Sequence, residues 1–272
     1  MLVKRVLVAL VLLPVGMAAI LAGGWYLTAL VAFFMGFAAW EYVNLFRAGG
    51  LKPAGVLVVG GTLLIVLGRN VNGFESAPWM ISLLILLSMT YHLVVYERGR
   101  DQAGTDFALT LGGMFYVGWL GAYFLSLRNL PEGKWWFLVV LPAVWFADTG
   151  AYFIGKRFGR HLLCPRLSPN KTWEGYLGGI VPGVILTALF AALWRLWAGP
   201  NSEITVVRGA LVGLVMSIFP TLGDLGESMI KRQVGVKDSG NLLPGHGGAF
   251  DRIDSWLWAA VLGYYMILWL WN

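Results

Sequence analysis

The chain has 272 residues, of which 58% are hydrophobic and only 12% charged, and it carries a formal net charge of +6. Its apolar residues gather in runs longer than a soluble core requires, which excludes a soluble enzyme and defines an integral membrane protein. The single cysteine, Cys164, excludes an intrachain disulfide and a cysteine metal cluster. The basic excess is accounted for by membrane topology and by affinity for anionic lipid or nucleotide, with no nucleic-acid partner needed.

In chain order, the apolar runs predict nine transmembrane helices, near 6–22, 25–46, 54–68, 78–96, 107–127, 135–155, 174–197, 205–226 and 255–271. The fold class is therefore all-α, a polytopic membrane protein. The first run follows Lys4 and Arg5 and is read as a retained span, because hydrophobic sequence resumes almost at once after it. Pro14, Gly36, Gly118 and Pro182 fall inside spans, where neighbouring helices supply the packing and spare hydrogen bonds that such residues need. The spans up to about residue 140 read as scaffold and dimer surface. Residues 141–272 read as the catalytic region, with polar loops at 156–173 and 227–254.

An N-terminus in the cytoplasm puts fifteen of the 20 Lys and Arg residues on the cytoplasmic side and leaves Arg69, Arg128, Lys134, Arg195 and Arg208 on the other. Both polar loops then face the cytoplasm, in a multi-pass protein of the cell membrane. Acidic residues are costly in a span, so Asp148, in VWFADTGAYFIG, and Asp224, in FPTLGDLGESMIKR, each require a partner or a cation. Ser228 and Lys231 share a helical face with Asp224, and Glu227 lies beside it.

The first polar loop supplies Lys156, Arg157, Arg160, Arg166 and Lys171, with Ser168, Asn170 and Thr172 just before a helix expected near Trp173. Free N–H groups at a helix start, backed by cations, suit phosphate. The spacing of a P-loop is absent. The second loop contrasts most with the rest of the chain. Lys231 and Arg232 end a helix, Lys237 and Asp238 follow, and Gly240, Pro244, Gly245, Gly247 and Gly248 surround His246 before Asp251, Arg252 and Asp254. Glycines let backbone donors approach a bulky anion closely. Asp224 and Asp251, carboxylates from two helix ends, offer the few hard oxygens that Mg²⁺ takes before water and phosphate complete its shell. His246 is a candidate proton donor or phosphate contact.

The string Ser228, Lys231, Arg232, Lys237, Asp238, Gly240, Pro244, His246, Gly247, Gly248, Asp251, Arg252, Asp254 resembles the C-terminal signature of the phosphatidate cytidylyltransferases, or CDP-diacylglycerol synthases. The likeness extends to GDLGES from Gly223, to DTGAYFIGKRFGR and to SPNKTWEG, with Ala249 standing where the family usually has a larger aliphatic residue. The resemblance implies transfer of a cytidylyl group from CTP to phosphatidic acid, giving CDP-diacylglycerol and pyrophosphate. It also implies dependence on Mg²⁺, with a second cation at the same carboxylates, and a homodimer. Onto these matches we map Asp224 and Asp251 as metal ligands, and Asp224, Asp251, Lys231, Arg232 and His246 as catalytic. Ser168, Lys171, Lys237, Asp238, Arg252, Gly247 and Gly248 map as substrate-binding. Two other classes fit less well. A transporter would also hold acids in its spans, but here the polar groups sit at helix ends and in loops; a CTP-using polyprenol kinase shares the nucleotide and differs in its product.

Overall fold

Every backbone amide in hydrocarbon must find its hydrogen bond inside the protein, so the apolar runs fold as helices. The computed structural model describes residues 2–240 and 247–271. Eleven α-helices occur among them: α1 Leu2–Ala22, α2 Gly24–Ala48, α3 Gly55–Asn72, α4 Ala77–Glu97, α5 Ala103–Gly113, α6 Tyr123–Arg128, α7 Gly133–Phe158, α8 Trp173–Ala198, α9 Val206–Ile218, α10 Thr221–Gln233 and α11 Phe250–Trp271. A π-helical segment, Met114–Trp119, joins α5 toward α6. Eight helical stretches among the described residues are long and apolar enough to cross a membrane. The protein is an all-helical, polytopic membrane protein, as its composition requires.

Two departures from the expected spans bear on function. The run 205–226 is broken near Pro220 and then continues as α10 to Gln233, with Lys231 and Arg232 ending that helix as expected. The loop 156–173 carries a small hairpin, in which β1 (Leu162–Cys164) pairs antiparallel with β2 (Ser168–Thr172). Thr172 then caps α8, its Oγ1 accepting from Gly175 N at 3.1 Å, and this fixes the helix start at Trp173. The expected boundary near 140 falls inside α7.

The chain divides into two compact units. Unit one comprises Met1–Ser126 with Ile230–Ile253. Its α3 buries Val58, Thr62, Ile65, Val66 and Arg69, one helical face, and packs on α2, which buries Leu27, Met35, Ala38 and Ala39. Arg69 closes this face: its guanidinium lies 3.5 Å from the centroid of the Phe74 ring and donates to Ser126 Oγ at 2.7 Å. Asp106, fully buried, accepts from Lys52 N at 2.7 Å and from Arg100 Nε at 2.8 Å, tying two loops together. The same hydrogen bond raises the pKa of the Arg100 guanidinium above its ordinary value.

Unit two comprises Leu127–Met229 with Asp254–Asn272 and is built on α7, α8 and α9. Its helices meet through small residues. A Cβ on Gly179 would stand 2.7 Å from Ala147 O and 2.8 Å from Ala151 Cβ, so only glycine lets α7 and α8 approach this closely. Trp136, Val139, Val140 and Ala143 of α7 are buried, while Leu177, Val181, Ile185 and Leu189 of α8 are exposed and form a surface suited to lipid.

Candidate active site

Polar side chains gather at one centre in each unit. In unit two, α7 ends at Phe158 and the hairpin returns the chain to α8. Glu174, in the first turn of α8, pins this return: its Oε2 accepts from Arg160 N and His161 N, both at 3.1 Å, and its Oε1 meets His161 Nδ1 at 2.5 Å. β2 thereby carries Lys171 to Asp224, with which it forms an ion pair. Lys171 and Asp224 also lie within electrostatic reach of Asp148 on α7. Ser168, on the same strand, is half-buried.

Asp224 belongs to a second grouping. Its carboxylate lies with those of Glu227, one helical turn on, and Asp254, and one oxygen from each falls within 4.8 Å of the others. Glu227 and Asp254 are both buried, and Gly223 permits the approach, since a Cβ there would collide with Asp254 O. Three hard oxygens this close repel one another unless a cation stands among or beside them, and Lys171 supplies one positive charge. As a donor set it matches what Mg²⁺ accepts.

In unit one the centre is Asp251, in the first turn of α11. Its Oδ1 accepts from Lys231 Nζ at 2.6 Å, and the two side chains are only 7% and 12% exposed. Its Oδ2 accepts from Ser239 N at 3.0 Å, Ser239 Oγ at 2.8 Å and Gly248 N at 2.9 Å. Gly247 adopts a φ of +84°, open to glycine at little cost, and this turns the chain so that the Gly248 amide points at the carboxylate. Arg232, Lys237, Asp238 and Arg252 are exposed around this centre. His246 and Pro244 lie outside the described residues.

The structure thus brings Lys171 to Asp224, and Lys231 and Gly248 to Asp251, while Asp224 and Asp251 belong to different units. It also sets three further carboxylates beside those mapped from the sequence as ligands. Glu227 and Asp254 sit with Asp224, and Glu41 of α2, 1% exposed, accepts from Phe250 N at 2.8 Å and Ser239 Oγ at 3.2 Å. Glu41 lies in the apolar run 25–46, so the rule that singled out Asp148 and Asp224, an acid inside a span, applies to it equally.

Buried carboxylates set against lysines, in a helical membrane protein, define a polytopic membrane protein with polar centres of its own. The chain belongs to the cytidylyltransferase family, whose model matches residues 3–270. It is 33% identical over 295 residues to the phosphatidate cytidylyltransferase of Synechocystis sp., covering 97% of this chain and 96% of that protein. It is 35% identical over 263 residues to the phosphatidate cytidylyltransferase of Staphylococcus aureus, covering 95% and 96% respectively.

Proposed function

We propose that the chain transfers a cytidylyl group from CTP to phosphatidic acid, releasing pyrophosphate and leaving CDP-diacylglycerol. The observation that carries this reading is the family match across residues 3–270, with relatives of that activity aligned over nearly their whole length. The site chemistry supports it.

A phosphate monoester loses its second proton near a pKa of ~6, so the lipid phosphate is largely a dianion at neutral pH. Its oxygen attacks the α-phosphorus of CTP, and the bond from that phosphorus to the oxygen bridging the α- and β-phosphates breaks. Pyrophosphate leaves with the electron pair. No strong base is required; the two anions must be brought together and their charge offset. Lys231 stands against Asp251 and Lys171 against Asp224, so each ammonium is held at a fixed place. Exposed Arg232, Lys237 and Arg252 supply charge for the triphosphate and the departing pyrophosphate, Asp238 orients them, and the amides at Gly247 and Gly248 line the approach. Ser168 and Lys171 hold one substrate at the hairpin.

Asp224, with Glu227 and Asp254 beside it, would hold Mg²⁺, which when bound offsets triphosphate charge and orients the phosphates. The resemblance gives Asp251 as a metal ligand too, a role it would take only by exchanging Lys231 from its Oδ1. A second cation and a homodimer, both implied by the resemblance, belong to the same proposal. So does a cell-membrane location with the polar loops facing the cytoplasm, which the distribution of Lys and Arg supports.

The test is label transfer in detergent, with and without phosphatidic acid and Mg²⁺. Label at the α-phosphate of CTP is expected in lipid only when both are present, and label at the γ-phosphate is expected to leave as pyrophosphate. γ-Label in lipid would mean a CTP-dependent kinase, and no lipid label from either position would return the transporter reading.

A further inference from the structure

Glu41 is a carboxylate inside an apolar helix, 1% exposed, and its hydrogen bonds reach residues 198 and 209 positions away in sequence. An ion so placed is costly unless the groups it meets compensate it. Those groups belong to the signature loop. Oε2 accepts from Phe250 N at 2.8 Å and from Ser239 Oγ at 3.2 Å. The backbone of Gly240 and Gly248 presses against the same carboxylate: a Cβ on either residue would run into Glu41. Two glycines of the signature are thus explained by a residue far outside it.

Ser239 links this carboxylate to the site. Its hydroxyl oxygen is 2.8 Å from Asp251 Oδ2 and 3.2 Å from Glu41 Oε2, so one O–H hydrogen is shared between two acceptors. The same oxygen accepts from Asp251 N at 3.3 Å, and Ser239 N donates to Asp251 Oδ2 at 3.0 Å. Asp251 in turn holds Lys231. The order is Glu41, then Ser239 and the Phe250 amide, then Asp251, then the lysine ammonium.

We propose that Glu41 is a positioning residue for cytidylyl transfer: by anchoring Ser239 and the Phe250 amide it fixes the backbone that aims Asp251 and Lys231. The role rests on the reading of the chain as a cytidylyltransferase. The bonds from Phe250 N and Ser239 Oγ land on one oxygen of Glu41, and the Ala249 backbone also hydrogen-bonds the carboxylate. Glutamine keeps an amide oxygen for the Phe250 and Ser239 donors, so it should stand in for glutamate in large part.

The experiment compares the wild type with Glu41→Ala, Glu41→Gln and Ser239→Ala in two measurements. One is steady-state transfer from CTP to phosphatidic acid. The other is amide hydrogen exchange of the segment around residues 247–251 in protein freed of divalent metal. Glu41→Ala is expected to lower kcat by about 100-fold, the scale of a misplaced catalytic group, with little change in KM for CTP. Its exchange should quicken by about tenfold, the equivalent of one lost hydrogen bond, while peptides of α7 and α8 keep their rates. Glu41→Gln should recover most of the turnover lost in Glu41→Ala. Should Glu41→Ala fail to fold, Ser239→Ala severs the same link and carries the same direction in both measurements. Unchanged exchange in the severed variants overturns the anchor whatever the activity, and so does a Glu41→Gln protein as slow as Glu41→Ala. A wild type that transfers no cytidylyl group overturns the functional reading instead, and the exchange rates alone then decide whether Glu41 anchors the loop.

Discussion

Removing either member of the Lys231–Asp251 pair should destabilise the protein, and removing the aspartate should do so more. The pair is 2.6 Å long between side chains 12% and 7% exposed, so neither charge has bulk water to fall back on. Breaking a buried ion pair from one side costs about 3–5 kcal/mol. Lys231→Met leaves Asp251 with three remaining donors, Ser239 N, Ser239 Oγ and Gly248 N, which places it near the lower end of that range. Asp251→Ala takes the carboxylate from the ammonium and from all three donors at once, which places it near the upper end. For a chain of this size 1 kcal/mol corresponds to roughly 2 °C in Tm, so the expected losses are about 6 °C and about 10 °C. Replacing both residues with apolar ones should cost less than the two losses added together, because no buried charge is then left behind. Thermal unfolding in detergent, followed by tryptophan emission, measures all three. Single variants that both unfold within about 2 °C of the wild type, below the cost of any buried charge, would refute the reasoning.

Two further predictions test the scaffold. Asp106→Asn removes the carboxylate that takes Arg100 Nε and Lys52 N; a charge-assisted bond is worth about 1.5–3 kcal/mol, so Tm should fall by several degrees while transfer activity persists. Gly179→Leu forces a side chain between α7 and α8 where even a Cβ meets Ala147 O at 2.7 Å. Overpacking by about 1–3 kcal/mol or more should appear in the same unfolding assay, with exchange quickened in α7 and α8 peptides.

The spans were legible because the cost of unpaired backbone in hydrocarbon leaves helix as the only reading of a long apolar run. The helix ends were less so. Basic residues at 156–157 look like loop in a hydropathy profile, yet α7 runs through them, since charged side chains at a helix end reach water while the backbone stays helical. The hairpin of 162–172 escaped for a related reason: its residues alternate too weakly to declare strands, and tertiary contacts fix it, through Glu174 on the next helix. Near the candidate residues one short-range grouping could be read, Asp224 with Glu227, while the bond from the Gly248 amide to Asp251 could not. Glu41 could not be assigned a partner from any local window, because its hydrogen bonds cross about two hundred residues of sequence.

The two mapped metal ligands, Asp224 and Asp251, are equivalent by residue type but not by surroundings. Asp251 accepts from Lys231 Nζ, Ser239 N, Ser239 Oγ and Gly248 N, so its charge is offset within the protein and its oxygens help to hold the loop. Asp224 stands with two more carboxylates, Glu227 and Asp254, and pairs with the ammonium of Lys171. Such a gathering costs least when a small divalent cation offsets it, and the attraction grows as surrounding water is excluded. Their surroundings therefore differ in kind: in unit two Asp224 is grouped with Glu227 and Asp254, whereas in unit one Asp251 keeps Lys231 and the glycine-rich backbone in place.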